Sequence, residues 1–351
     1  MFFLQHLWAR TSVLTLLLAP FSALFAAVSG LRRLAYRRGW LAAISVGVPV
    51  IIVGNLSAGG SGKTPLTIWL VNRLRAQGYR PGVVSRGYGG AARGCVDVQP
   101  GSDPAEVGDE PLLIHLKTSA PVAVGRDRVA AARSLLARHP GVDVIVSDDG
   151  LQHYRLQRDL ELVVIDAATG LGNGWPLPAG PLREPPSRLD SADAVIQVVR
   201  GTAQPHPYGV KTWRVDYSAG QAWRLHAPRE TRALRDLPQH DWLAVTGIGR
   251  PQGFFDMLRA EGIRFTPRAF ADHHAFGSQD LPADAAVLMT EKDAVKCRSF
   301  AGTDWWAVEL DVAPEAGLIH WLDARLEQSL SKPAAAARNG SRAVEPQDPD
   351  R

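Results

Sequence analysis

Residues 48–64 constrain the fold more than any other stretch of the chain. An unbroken apolar run, Val48-Pro-Val-Ile-Ile-Val-Gly54, leads into Ser57-Ala-Gly-Gly-Ser-Gly-Lys63-Thr64, and apolar residues at helical spacing follow at Leu66, Trp69, Leu70 and Leu74, ending at Gly78. A continuous apolar run suits a strand buried on both faces, and glycines free the backbone between that strand and the helix. In that position successive backbone N–H groups and the helix N-terminus can surround a triphosphate. Ser57, Ala58, Gly59, Gly60, Ser61 and Gly62 would form the cradle, Lys63 would reach the β and γ phosphates, and the Thr64 hydroxyl would ligate magnesium. The usual pattern opens on glycine where this chain has Ser57, so Gly59 and Gly60 must supply the local freedom. A glycine-rich turn with an incidental lysine is the bland alternative, and the flanking strand and helix argue against it.

The buried-strand pattern recurs at residues 81–85, 142–147, 160–166 and 194–199, with helical stretches such as 126–138 between some of them. This alternation predicts an α/β fold with a mostly parallel, doubly wound sheet like that of P-loop NTPases. The run at 142–146 ends in Ser147-Asp148-Asp149, the place where such enzymes hold magnesium or its water through a carboxylate. Alone, an acidic pair closing a strand is as readily a turn or a helix cap. Residues 213–218 and 221–225, separated by Ala219-Gly220, read as a β-hairpin, and a second strand, glycine turn and helix begins at Trp242. The expected organisation is an N-terminal segment 1–40, a nucleotide-binding core 41–210, a hairpin linker 211–225, a smaller second α/β domain 226–330 and a disordered tail 331–351.

Composition narrows the setting. With 351 residues, 46% hydrophobic and 21% charged, the chain can bury a large core, and its two cysteines, Cys95 and Cys297, suggest neither a disulfide framework nor a thiolate zinc site. Residues 12–28 carry no charge and contain Pro20, and Arg32, Arg33, Arg37 and Arg38 follow directly. That order reads as a membrane anchor with its basic flank on the cytoplasmic side. A bilayer span is marginal at this length, and a helix broken at Pro20 and lying in the interface fits as well. A secretory signal peptide is the alternative that the downstream nucleotide chemistry disfavours.

The motifs together are more specific than any one of them. The phosphate loop, then SRGYGG at 85–90, VGDEP at 107–111, SDDGLQH at 147–153, GPLREP at 180–185, ADHH at 271–274 and TEKDAVK at 290–296 resemble, in order, the tetraacyldisaccharide 4′-kinase family. The resemblance implies transfer of the ATP γ-phosphate, with Mg2+, to the 4′-hydroxyl of an acylated glucosamine disaccharide 1-phosphate at the cytoplasmic face of the Gram-negative inner membrane. It further implies Asp109 as general base with His273 as its partner, Arg183 and Gln152 beside ATP, and Glu184 sharing magnesium with Thr64, Asp148 and Asp149. Each has a plainer reading. Asp109 before Pro111 could cap a helix, the Arg183–Glu184 pair could brace a proline-rich loop, and 290–293, expected to close the cleft from the second domain, could be a charged helix start. Arg86, Arg126, Arg128 and Arg155 are candidates for the substrate's 1-phosphate among which the sequence does not choose.

Two other classes share the phosphate loop: a membrane-associated ATPase switch that binds a protein partner, and an ATP-dependent ligase. The switch would not need Asp109 and His273, while the ligase shares the loop and the aspartates. The partners expected are the lipid substrate and a membrane surface. Nucleic acid is not expected, because the basic cluster is tied to the apolar segment, and nothing implies a protein partner.

Overall fold

A computed structural model describes residue 8 and residues 10–92, 94–238 and 240–330. The expected tail from 331 therefore lies outside the described residues. The apolar runs become strands and the periodic stretches helices: α1 Val13–Arg37, β1 Val50–Gly54, α2 Lys63–Ala76, β2 Pro81–Ser85, β3 Val96–Asp97, α3 Pro104–Val107, α4 Asp109–Thr118, β4 Val122–Val124, α5 Arg128–Arg138, β5 Val144–Asp148, β6 Leu160–Asp166 and β7 Ala194–Val199. Then come β8 Thr212–Arg224, β9 Ala227–Ala233, β10 Trp242–Thr246, α6 Pro251–Ala260, β11 Phe265–Ala269, β12 Val287–Thr290, α7 Glu291–Cys297, β13 Trp305–Pro314 and α8 Ala316–Leu330.

All strands join one sheet in the order β11-β10-β12-β13-β8-β7-β6-β1-β5-β2-β4-β3, with β9 added on β8. Strands from β4 to β8 in that order run parallel, as do β13, β12, β10 and β11. The two parallel sets meet through an antiparallel β8–β13 pair. This reversal positions the site. The C-terminal end of β7 pairs with β8 at Val199↔Asp216, while the end of β12 pairs with Val308 of β13, which in turn faces Ala222 of β8. The carboxyl ends of both parallel sets, where ligands bind in open α/β sheets, therefore converge on the middle of β8.

Each half has its own pair of cores. Leu66, Leu70, Val71 and Leu74 of α2 pack with β1, β2 and α4 on one face of the first half, and Val129, Ala132 and Leu135 of α5 pack on the other. Trp242, Phe254, Leu258 and Trp306 fill one face of the second half, and Val245, Met289, Cys297 and Trp305 the other.

The hairpin expected at Ala219-Gly220 is not there. Those residues lie inside the thirteen-residue strand β8, opposite a shift in the β13 register between Val308 and Leu310. Gly220 marks that irregularity, not a turn: a Cβ there would stand 2.8 Å from Asp311 Oδ1. The hairpin falls later, between β8 and β9, where Arg224 pairs with Ala227. Nor does Pro20 break the first helix, which continues as one α-helix from Val13 to Arg37. Val13, Leu17, Phe21, Leu24, Val28 and Leu31 form an exposed stripe along it, each at least 60% accessible. Thr15 and Ser22, seven residues apart, are buried against the protein; Ser22 Oγ donates to Pro176 O at 2.7 Å and accepts from Ala179 N at 2.9 Å.

Candidate active site

The loop after β1 forms because its two left-handed turns fall on glycine. Gly59 has φ +108° and Gly62, the N-cap of α2, has φ +83°, conformations that a side chain resists. Ser57 needs no such freedom: it is held in an isolated antiparallel bridge to Leu182, flanked by Ala58 N–H to Pro181 O at 2.7 Å and Arg183 N–H to Leu56 O at 2.6 Å. The proline-rich segment thus braces the outer wall of the loop and delivers Arg183 beside it. From the far side the Tyr217 hydroxyl of β8 donates to Gly62 O at 2.7 Å.

Asp148 and Asp149, equivalent in the sequence, part company. Asp148 is fully buried at the end of β5 and accepts from Thr67 Oγ1 at 3.2 Å and Ser85 Oγ at 3.4 Å. Burial, and then the charges of Glu110 and Asp149, push its carboxyl up to about 7 against the pull of Lys63. Asp149 adopts φ +48° and turns toward cations, with Lys63 Nζ at 3.5 Å and Arg183 Nη1 at 3.0 Å. Burial would raise it as well, but Lys63, Arg183 and Arg128 hold it at about 2. Gln152 joins this group by accepting from Arg183 at 3.4 Å and donating to Asn55 O at 3.1 Å. Glu184, expected at the metal, has both carboxylate oxygens engaged: the Tyr154 hydroxyl donates to Oε1 and Gln152 Nε2 to Oε2 at 3.3 Å, with Arg188 at 3.7 Å.

The donors around the loop suit a hard cation. Thr64 opens α2, Asp148 closes β5, and Ser61 Oγ and Asn55 Oδ1 are buried without a hydrogen-bond partner. Among the described residues no cluster of three or more His, Cys, Asp or Glu stands ready to hold a metal by itself. A magnesium here would complete its shell with phosphate oxygens and water, its usual habit in nucleotide sites.

On the other side of the cleft, Gly108 at φ +91° turns the chain so that Asp109 opens α4. Helix capping does not account for Asp109. The N-cap is Gly108, and although Oδ1 accepts from the neighbouring Glu110 N at 2.9 Å, Oδ2 lies 3.2 Å from His273 Nδ1, 164 residues away. His273 holds φ +58°, a costly value for a residue with a side chain, and its backbone N–H donates to Gly247 O at 3.1 Å. Gly247 is itself pinned by the buried Asp293 carboxylate, which accepts from Gly247 N and Thr246 Oγ1 at 3.0 Å and from Thr290 Oγ1 at 2.7 Å. Burial would raise the Asp109 carboxyl, but the His273 hydrogen bond and the charges of Lys292 and Lys296 bring it below the ordinary carboxylate value.

The sequence reading missed Lys292 and Lys296 as groups that face Asp109, at 3.9 and 3.8 Å. Their spacing of four residues in TEKDAVK was the available signal, because it puts both on one face of α7. Tyr217 and Tyr154 carried no local signal. Of the four candidate arginines, Arg128 is spent on the backbone: it is buried and donates to the carbonyls of Gly125, Asp148 and Asp149, shaping the turn that carries the aspartates. Arg155 pairs with Asp127, while Arg86 and Arg126 are exposed.

The neighbouring His274 takes no part in this pair: it meets Asp280 at 3.0 Å while His273 faces Asp109.

The family model described as Tetraacyldisaccharide-1-P 4'-kinase matches residues 14–327. A tetraacyldisaccharide 4'-kinase of Thiobacillus denitrificans is 68% identical over 92% of this chain and 98% of its own length, and one of Chromobacterium violaceum is 47% identical over 92% and 97%. Among solved structures, LpxK of Aquifex aeolicus in complex with ATP superposes with a TM-score of 0.79 at 27% identity, covering 91% of this chain and all of the other. With a phosphate loop, strand-end aspartates and an Asp–His pair joined across one sheet, and with relatives of this likeness over nearly its whole length, the chain belongs to the tetraacyldisaccharide-1-P 4'-kinase family.

Proposed function

We propose that this kinase, which moves the γ-phosphate of ATP to the 4′-hydroxyl of a tetraacyldisaccharide 1-phosphate in lipid A biosynthesis, does so by bringing two halves of one sheet together around the γ-phosphate. The observation that carries the reading is the Asp109–His273 pair, one member from each half, joined at 3.2 Å. The triphosphate lies along residues 57–64, with Lys63 and Arg183 neutralising its charge. Thr64, Asp148 and Asp149 would hold the magnesium, which when bound would supply charge neutralisation at the phosphates. Arg183, itself held by Gln152, orients Asp149, and Glu184 serves as the brace of Gln152, since its own oxygens are engaged.

The Asp109 carboxylate accepts the 4′-hydroxyl proton as that oxygen bonds to the γ-phosphorus. The bond from the γ-phosphorus to the β–γ bridging oxygen breaks, and ADP departs. His273 orients the carboxylate by a hydrogen bond. A switch or a ligase would have no use for this pair.

The acceptor is a lipid, so the protein works at a surface. The exposed stripe of α1, followed by exposed Arg32, Arg37 and Arg38, suits an interface with anionic headgroups. Ser22 ties the middle of the helix to the loop at 176–179, so α1 lies along the membrane on the cytoplasmic face of the inner membrane instead of crossing it alone. In detergent, protein with Mg-ATP and tetraacyldisaccharide 1-phosphate should give a bis-phosphorylated product by mass. ATP turnover that continues at full rate without the lipid acceptor would contradict the assignment.

A further inference from the structure

The Lys292 side chain, 16% exposed, enters the junction from α7 and meets four groups there. Its Nζ lies 2.9 Å from Glu110 Oε1, 3.5 Å from His273 Nε2, and 3.9 Å from both Asp109 Oδ2 and Asp272 Oδ1. An ammonium has donors only, so its contact with Nε2 requires that nitrogen to be unprotonated. We propose that Lys292 is the positioning residue of the Asp109–His273 pair, fixing the single ring proton of His273 on Nδ1, where it faces Asp109; the inference rests on that pair being the proton-accepting unit.

The need for such a group follows from what surrounds the ring. Asp109 stands at Nδ1, and Asp272 stands 3.8 Å from Nε2. An imidazole between two carboxylates tends to bind a second proton, and the resulting imidazolium would draw Asp109 into a full ion pair and blunt it as a base. Lys292 supplies the positive charge in place of that proton. Among the described residues, the other charged or titratable groups facing the pair are Glu110 on α4, Lys296 on α7, paired with Asp293 at 2.8 Å, and Tyr88, whose ring centroid is 5.1 Å from that of His273. Lys292 is itself held charged: burial would lower it, but Glu110, Asp109 and Asp272 raise it well above the ordinary lysine value. Lys292 is one of the charges that bring the Asp109 carboxyl below its ordinary value, so removing it lets that carboxylate take up its proton at higher pH.

The test is the pH profile of kcat/KM for lipid phosphorylation at saturating magnesium, with Mg-ATP binding measured over the same pH range. In Lys292→Met the acid limb should move up by about one pH unit, as expected on losing an adjacent opposite charge, and Lys292→Arg should restore it. ATP binding should keep the parent's pH dependence. A lysine that only ties α4 to α7 would lower activity evenly across pH, and an unmoved acid limb would overturn the proposal. So would an equal shift in ATP binding, because the charge would then act through Glu110 on Asp148. Asp109→Asn separates the two readings: if it remains active, the assignment of the pair fails, whereas if it is inactive and Lys292→Met leaves the limb in place, only the role of Lys292 fails. Should Lys292→Met not fold, the parent protein decides by itself. With 15N-labelled histidine, and the His273 signal identified by its loss in His273→Gln, the proton should reside on Nδ1; an Nε2–H tautomer contradicts the proposal.

Discussion

The phosphate loop and the Asp109 junction serve one reaction but are built in opposite ways. The loop is eight consecutive residues whose shape depends on two left-handed glycines and on the helix that follows, and its outer braces, Leu182 and Tyr217, touch a backbone whose course is already set. The junction has no local existence. Asp109 and His273 are 164 residues apart and meet only because β8 and β13 reverse the sheet and turn both sets of carboxyl ends inward. The loop and its braces all belong to the first parallel set and the segments beside it, whereas the junction needs a residue from each half of the sheet. Binding and chemistry should therefore come apart under mutation.

The largest effect should follow from breaking the junction. Asp109→Ala should lower turnover by about 10² to 10⁴-fold, the usual worth of a general base, and leave ATP affinity near that of the parent. Calorimetry of ATP binding on the variant checks the second half; lost affinity would return Asp109 to the nucleotide side. Breaking the loop should act on both quantities. Lys63→Ala should cost on the order of 10² to 10³-fold in turnover, as loss of a preorganised charge contact does, and should weaken ATP binding as well.

Changes remote from both regions sharpen the comparison by leaving each intact. Leu17→Glu with Leu24→Glu on the exposed stripe of α1 should weaken co-sedimentation with anionic vesicles by about tenfold or more, because two side chains no longer enter the apolar layer. Turnover on detergent-dispersed substrate should hold, and unchanged sedimentation would move the membrane contact elsewhere. Smallest is Ser22→Ala, which removes a donor to Pro176 and an acceptor for Ala179 and should cost about 1 kcal/mol in a urea titration. An unchanged midpoint would show that α1 is not held through Ser22.

The same contrast explains what the sequence could disclose. Most of what neighbours along the chain carry was legible: the loop, the strands around it, Gly78 closing α2 and the uncharged run of α1, though Pro20 sits inside that helix without breaking it. What depends on distant partners was not. Ala219-Gly220 reads as a turn, because small residues between two β-like stretches usually make one, and only the β13 register reveals an irregular but continuous strand. Asp148 and Asp149 read as a matched pair, and only Thr67, Ser85 and Arg183 give them opposite environments. Arg128 reads as one of four interchangeable arginine candidates until its guanidinium is found on three carbonyls. Motif resemblance placed Asp109 and His273 in one site, but Lys292 stayed hidden because a lysine in the first turn of a helix is ordinarily solvated.

The most direct test of the account is a double-mutant cycle on Asp109 and His273, measuring turnover at saturating Mg-ATP and lipid. If the pair accepts the proton as one unit, His273→Ala should cost less than Asp109→Ala, and the double variant should be scarcely slower than Asp109→Ala alone. Losses that multiply in full would contradict the account, since Asp109 and His273 would then be doing separate work on opposite sides of the cleft.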